Sequence, residues 1–132
     1  MEYLKTVIGG IEMYIPANDK LGEMIITAYK RLNYQKRIAK MRNAYSGEIN
    51  SKVVVIDSDF FYALEDVMAE KGYDGVIHHQ FEQSSKEQAK VLYALFREDK
   101  TMRYLIFVCG YEQEQVQNII RNFFESLKKI IF

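Results

Sequence analysis

Residues 53–60 read VVVIDSDF, in which four consecutive apolar side chains are followed directly by two carboxylates and a hydroxyl. An apolar, β-branched run of this kind is typical of a strand that is buried on both faces. Asp57, Ser58 and Asp59 belong to the residue types that commonly cap the first turn of a helix. The stretch therefore predicts a buried strand that leads directly into a helix, which is the basic step of an α/β fold.

The same step recurs further along the chain. Residues 75–79 and 102–109 are the next two predicted strands, and a stretch with helical spacing of apolar residues follows each of them. The last predicted helix begins near Glu112 and runs to the end of the chain. Strands that alternate with helices in this way are usually parallel and joined by right-handed crossovers.

Residues 3–8 and 11–15 precede this series and flank Gly9-Gly10, a pair suited to the positive φ angles of a tight hairpin turn. A helix follows the hairpin. We therefore predict a single α/β domain over residues 1–132. We expect a small three-layer or two-layer sandwich with a mostly parallel sheet and the N-terminal β-hairpin at one edge.

The composition is that of an ordinary globular protein, because 48% of the 132 residues are hydrophobic and 27% are charged. No apolar run approaches the roughly 20 residues that a membrane-spanning helix needs, so we expect no membrane partner. The first residues carry no signal-peptide pattern. Cys109 is the only cysteine, which excludes an internal disulfide and fits a reducing compartment. The expected location is cytoplasmic.

Charge is unevenly distributed although the formal net charge is zero. Residues 28–46 contain six basic side chains and no acid, whereas residues 57–99 contain ten acids and four bases. Lys36, Arg37 and Lys40 form the candidate binding surface of the basic segment, and its expected partner is anionic, either nucleic acid or an acidic protein. The alternative is that the two oppositely charged regions neutralise each other within one fold.

A candidate catalytic site follows from the predicted parallel sheet. The carboxyl ends of parallel strands are where open α/β sheets bind ligands, and there the prediction places Asp57, Asp59 and His78. Two carboxylates and an imidazole can serve as general acid and base or hold a divalent metal, with Asp57 and Asp59 as its ligands. The competing interpretation is that the aspartates only cap a helix. Apart from this metal, the sequence indicates no cofactor.

Residues 53–60 and the later stretch EKGYDGVI, residues 70–77, resemble the opening of a response-regulator receiver domain. Such a domain needs an aspartate at the end of its third strand, where this chain reads FVCG at residues 107–110. Receiver chemistry is therefore not expected. The first aspartate after the apolar strand is also similar to the start of a PIN-type nuclease domain, but the further acids of that family have no matching motif. We assign no family.

The C-terminal helix has a broad apolar stripe that continues to the end of the chain. Phe124, Leu127 and Ile131 lie on this stripe, and we predict that they form a homodimer interface. The alternative is packing against the chain's own sheet.

Together these features predict a small cytosolic binding or regulatory protein that acts through protein–protein contacts, with a second copy of itself as the expected partner. The first alternative is a small metal-dependent hydrolase or nuclease that uses the carboxylates at the sheet edge. The second is a nucleic-acid-binding module that uses the basic helix of residues 30–42. Whether the protein is an enzyme stays open at this point.

Overall fold

The computed structural model describes residues 3–41 and 53–131, and the side chains of residues 3–33 and 53–131. Within these ranges the chain forms one sheet of three strands together with six helices. The strands are β1 (Tyr3–Ile8), β2 (Ile11–Pro16) and β3 (Val54–Ile56). The helices are α1 (Asp19–Met41), α2 (Ser58–Glu70), α3 (Val76–Gln83), α4 (Lys86–Phe96), α5 (Met102–Phe107) and α6 (Gln113–Ile130).

The N-terminal hairpin is confirmed. β1 pairs antiparallel with β2 over its whole length, from Tyr3 opposite Pro16 to Ile8 opposite Ile11. Gly9 and Gly10 form the two-residue connection with φ angles of 60° and 87°, because the turn that matches the twist of a hairpin needs positive φ at both central positions.

The sheet itself differs from the prediction. Its strand order is β2-β1-β3, with one antiparallel pair and one parallel pair, in which Thr6 of β1 lies opposite Val54 of β3. A small α/β fold is therefore present, but the prediction of a mostly parallel sheet is wrong. The reason is that residues 75–79 and 102–109, predicted as strands, contain instead the start of α3 and the whole of α5.

Residues 75–79 belong to the start of α3. Gly75 adopts a left-handed conformation with φ of 76°, and the helix begins directly after it. Ile77 and Phe81 are buried, whereas His78 and His79 are exposed. A spacing of four residues between buried positions is the period of a helix, and an apolar run of only two residues is too short to specify a buried strand.

Residues 102–109 contain α5 and the loop after it. The side-chain oxygen of Thr101 caps the helix by accepting a hydrogen bond from the backbone N–H of Tyr104 at 3.0 Å. Met102 and Leu105 are buried, while Phe107 and Val108 are 77% and 69% exposed. The apolar residues of this segment are thus divided between a buried helical face and an exposed end, and they do not form a strand buried on both sides.

In the described part of the chain, the helices cover one face of the sheet. Inward side chains of all three strands are buried: Thr6, Ile8, Met13, Ile15, Val54 and Ile56. Thr6 satisfies its buried hydroxyl by donating to the carbonyl oxygen of Met13 at 2.8 Å. The outward positions include Tyr3, Tyr14 and Val55, which are 62%, 59% and 44% exposed. The result is a two-layer arrangement with one open sheet face.

Helix α6 supplies much of the core, and the prediction of a C-terminal helix is confirmed. It begins after Glu112, which forms a capping box with Gln115. Phe123 and Phe124 pack within a cluster of aromatic rings that includes Phe61 and Phe96. No described helix is both long and apolar enough to cross a membrane.

Candidate functional site

The two predicted carboxylates lie where α2 begins. Asp57 is the N-cap residue, and its Oδ1 accepts a hydrogen bond from the backbone N–H of Phe60 at 2.9 Å. Asp99 binds the same helix end, because its two oxygens accept from the backbone N–H and the hydroxyl of Ser58 at 2.9 and 2.6 Å. Asp57 and Asp99 therefore satisfy polar groups at the start of a helix, a structural role that such residues commonly have.

The third member of the predicted catalytic set lies elsewhere in the fold. His78 is on α3, where its Nε2 is 2.8 Å from Oε1 of Glu82, and both side chains are largely exposed. Asp59 is exposed in the first turn of α2. His78 is not at the end of a strand, so the predicted sheet edge that would bring Asp57, Asp59 and His78 together does not exist. Among the described residues, no three His, Cys, Asp or Glu side chains are grouped so that they could hold a metal ion.

The predicted basic surface falls in the C-terminal part of α1. The backbone of this helix is described as far as Met41, but the side chains of Lys36, Arg37 and Lys40 lie outside the described residues. One base earlier in the segment does meet an acid: Arg31 donates two hydrogen bonds to the carboxylate of Glu70 on α2, one of them at 3.2 Å. The two charged regions therefore neutralise each other at least at this pair.

The residues predicted for the homodimer interface are inside the chain. Phe124, Leu127 and Ile131 have no solvent-exposed surface. They pack within the same hydrophobic core as the inward residues of the sheet. The broad stripe of α6 is accounted for by the chain's own core, so any association of two copies must use other residues.

A polar cleft lies where α3, α4 and α6 meet. Its volume is about 220 Å³, and nine residues line it: Gln80, Gln83, Ser84, Gln88, Leu92, Ile119, Asn122, Phe123 and Ser126. Each helix contributes residues three or four positions apart, which is the spacing that places side chains on one helical face. We refer to this site as the polar cleft.

The corner between α3 and α4 fixes one wall of the polar cleft. The hydroxyl of Ser84 donates to the carbonyl oxygen of Gln80 at 2.8 Å and closes the end of α3. The hydroxyl of Ser85 accepts from the backbone N–H of Gln88 at 3.2 Å and starts α4. Two adjacent serines thus end one helix and begin the next, and they place the side chains of Gln80 and Gln88 beside the same opening.

The chemistry of the polar cleft is uncharged. Four carboxamides and two hydroxyls line it above an apolar base of Leu92, Ile119 and Phe123, and none of the lining residues that the structure describes is acidic or basic. Each carboxamide offers both a donor and an acceptor. Among the residues that the structure describes, no group is hydrogen-bonded to the side-chain carboxamides of Gln80, Gln83, Gln88 or Asn122. These groups are free to bind a ligand.

The base of the polar cleft limits which ligands can bind. Phe123 is the only aromatic residue in the lining, and it is 5% exposed because its ring packs against Phe81 at a centroid distance of 5.3 Å. The ring is therefore not available as a platform on which a sugar or a nucleobase could stack. The site offers hydrogen bonds in several directions but neither a charge nor an aromatic surface.

Sequence reasoning missed this site. It predicted a strand over residues 75–79, directly before Gln80, and it gave none of the polar residues of the cleft a role in binding. The signal is the recurrence of amides and hydroxyls at helical spacing in residues 80–88 and 122–126, and it becomes visible only when α3 is recognised as a helix. No family model, no curated protein and no solved structure matches this chain.

Proposed function

We propose that this protein is a small binding protein that acts through protein contacts and holds an extended segment of a partner polypeptide in the polar cleft. One observation carries the proposal: the cleft is lined by four carboxamides with no hydrogen-bond partner among the described residues and by no charged side chain. A peptide group has one donor and one acceptor, as a carboxamide does, so the two can pair reciprocally.

The alternative ligand classes fit this lining less well. A phosphate or a carboxylate needs a cationic side chain or a cluster of backbone N–H groups for strong binding, and the lining of the polar cleft has no basic residue. Nucleobases and sugars gain much of their binding energy by stacking on an aromatic face, which Phe123 does not provide at 5% exposure. Among these classes, an uncharged stretch of polypeptide fits the lining best.

The proposal predicts that the affinity for such a peptide depends on Asn122. The experiment selects binders from a library of random linear peptides and measures the affinity of a capped synthetic peptide by calorimetry. We expect Asn122→Ala to weaken binding about three- to tenfold, since a hydrogen bond contributes about 0.5–1.5 kcal/mol.

Asn118→Ala is the matched control. Asn118 lies one turn earlier on the same helix, is exposed and accepts from Arg121 at 3.1 Å, outside the polar cleft. Its replacement should leave the affinity unchanged. A selected peptide whose affinity responds equally to both substitutions, or to neither, would contradict the proposed site.

A further inference from the structure

The open face of the sheet carries a compact group of outward side chains. In the hairpin register Lys5 lies opposite Tyr14 and Val7 lies opposite Glu12, and Val7 also lies beside Val55 on β3. Tyr3 belongs to the same face, because outward residues alternate along a strand. We refer to these six residues as the open face.

The open face exposes more apolar surface than is usual for a sheet face in contact with water. Tyr3, Tyr14 and Val55 are 62%, 59% and 44% exposed, and they are three of the eight large hydrophobic side chains that are exposed in the described part of the chain. An antiparallel pair with one face in water usually presents polar residues there. Here only Lys5 and Glu12 are charged, and the other four outward residues are tyrosine or valine.

The two charges make the open face complementary to itself. Nζ of Lys5 is 3.8 Å from Oε2 of Glu12, and the side chains are 41% and 63% exposed. A two-fold axis that lies parallel to the sheet, above the middle of this pair and at right angles to the line from Lys5 to Glu12, brings Lys5 of one copy against Glu12 of the second copy. The reverse contact forms at the same time. A C2 interface has this reciprocal pattern, whereas a strongly acidic or basic partner would meet one repulsive charge in every orientation.

We infer that a second copy of this chain is the occupant of the open face, so that the protein forms a homodimer by packing sheet on sheet. The apolar side chains of the open face are then buried between the two sheets, and Lys5 and Glu12 exchange partners across the interface. The inference does not depend on the proposed peptide site, because the polar cleft is formed by α3, α4 and α6, and the open face by the three strands.

The area of the open face limits the affinity that we expect for the homodimer. Three strands about 4.8 Å apart and about 20 Å long present a surface well below the roughly 800 Å² per partner of a standard interface. An interface of this size belongs to the weak, transient class, so we expect a dissociation constant near the upper end of the micromolar range, about 100 μM or higher, with monomer in excess at low concentration.

The test is sedimentation equilibrium of the full chain from about 1 to about 500 μM, a range that spans a micromolar dissociation constant. We expect the wild type to associate, and Lys5→Glu and Glu12→Lys each to raise the dissociation constant at least tenfold, because like charges then face each other across the two-fold axis. An equimolar mixture of the two variants should recover association, since each supplies the charge that the other lacks.

Two controls separate this interface from other effects. Arg121→Glu makes the same change in net charge as Lys5→Glu but lies on α6, exposed and away from the sheet, and it should leave the dissociation constant unchanged. Circular dichroism should show each variant folded, because an exposed ion pair contributes little to stability. A wild type that is monomeric throughout this range would overturn the inference, as would association that the two charge reversals leave intact.

Discussion

At the scale of single residues, Gly9 has no room for a side chain, whereas its neighbour Gly10 in the turn does. Both turn glycines have positive φ, but a Cβ atom at Gly9 would lie 2.8 Å from the backbone nitrogen of Met102 and 2.9 Å from Cδ2 of Leu95. A Cβ at Gly10 would have no neighbour within 4 Å. The carbonyl of Gly9 also accepts a hydrogen bond from Met102 at 2.9 Å, so the tip of the hairpin is attached to the start of α5.

We predict that Gly9→Ala destabilises the protein more than Gly10→Ala. Each substitution places alanine in a left-handed conformation, at a cost of about 1–2 kcal/mol. Gly9→Ala adds a clash with backbone and should cost a further ~1–3 kcal/mol, since the core must shift to admit the methyl group. Urea unfolding of the two variants measures the difference, and equal losses would show that the hairpin tip can move away from α5 freely.

The residue types alone also left the role of Asp57 and Asp59 ambiguous between helix capping and metal binding. Strand-to-helix connections and metal sites both use aspartates, and the segment DSD fits either interpretation. The structure places Asp57 as a helix cap and adds Asp99, 41 positions away from Ser58, at the same helix end. No local pattern could have shown that Asp99 binds there, because its approach depends on the turn between α4 and α5.

At the scale of elements, α1 and α2 are linked by an exposed ion pair that depends on pH. The hydrogen bond from Arg31 holds the pKa of Glu70 below its ordinary value, and the same contact raises the pKa of Arg31. A carboxylate whose pKa is lower in the folded state stabilises the fold above its unfolded pKa, which is about 4.3 for glutamate. The contribution is lost as the pH falls through the lowered folded value.

We predict that Glu70→Gln lowers the free energy of unfolding slightly at pH 7 and that this difference disappears in acid, below the lowered pKa of Glu70. The effect should be small because both partners are about half exposed. Denaturant unfolding of wild type and variant across this pH range provides the measurement. A difference that persists unchanged in acid would mean that shape, and not charge, accounts for the contribution of Glu70.

The elements also show where sequence reasoning succeeds. The hairpin, β3 with the helix after it, α4 and α6 were predicted because each has a strong local signal: a Gly-Gly turn, an apolar run ending in a cap, or a long apolar stripe. α3 and α5 were predicted as strands because each is short. An apolar run of two residues, as in α3, or of five, as in residues 105–109, cannot by itself distinguish a strand from one or two turns of helix.

That error carried over to the site, because the predicted catalytic set of Asp57, Asp59 and His78 needed residues 75–79 to form a strand parallel to residues 53–56. With residues 75–79 predicted as a strand, Gln80 lay just beyond a strand end. With α3 as a helix, Gln80, Gln83 and Ser84 share one face and line the polar cleft. The predicted homodimer interface at Leu127 was wrong for a related reason. The sequence shows the apolar stripe of α6, but only the packing shows that the chain's own core covers this stripe.

At the scale of the whole molecule, the layered arrangement separates two surfaces with different properties. The helical side carries the uncharged polar cleft, and the opposite side carries the open face with its two tyrosines and its Lys5–Glu12 pair. If both are used, a homodimer formed through the sheets leaves one polar cleft on each copy facing outward. Two linked clefts could then bind two segments of one partner, and avidity would strengthen a weak individual site.

If a selected peptide binds at the uncharged polar cleft, its affinity should depend little on salt concentration. Hydrogen bonds between neutral groups are hardly screened by salt, whereas contacts between exposed charges weaken as ionic strength rises. We predict that the dissociation constant measured by calorimetry changes less than about twofold between about 50 mM and about 500 mM sodium chloride. A loss of affinity of tenfold or more over that range would contradict the claim and would direct attention to the basic segment around Lys36, Arg37 and Lys40.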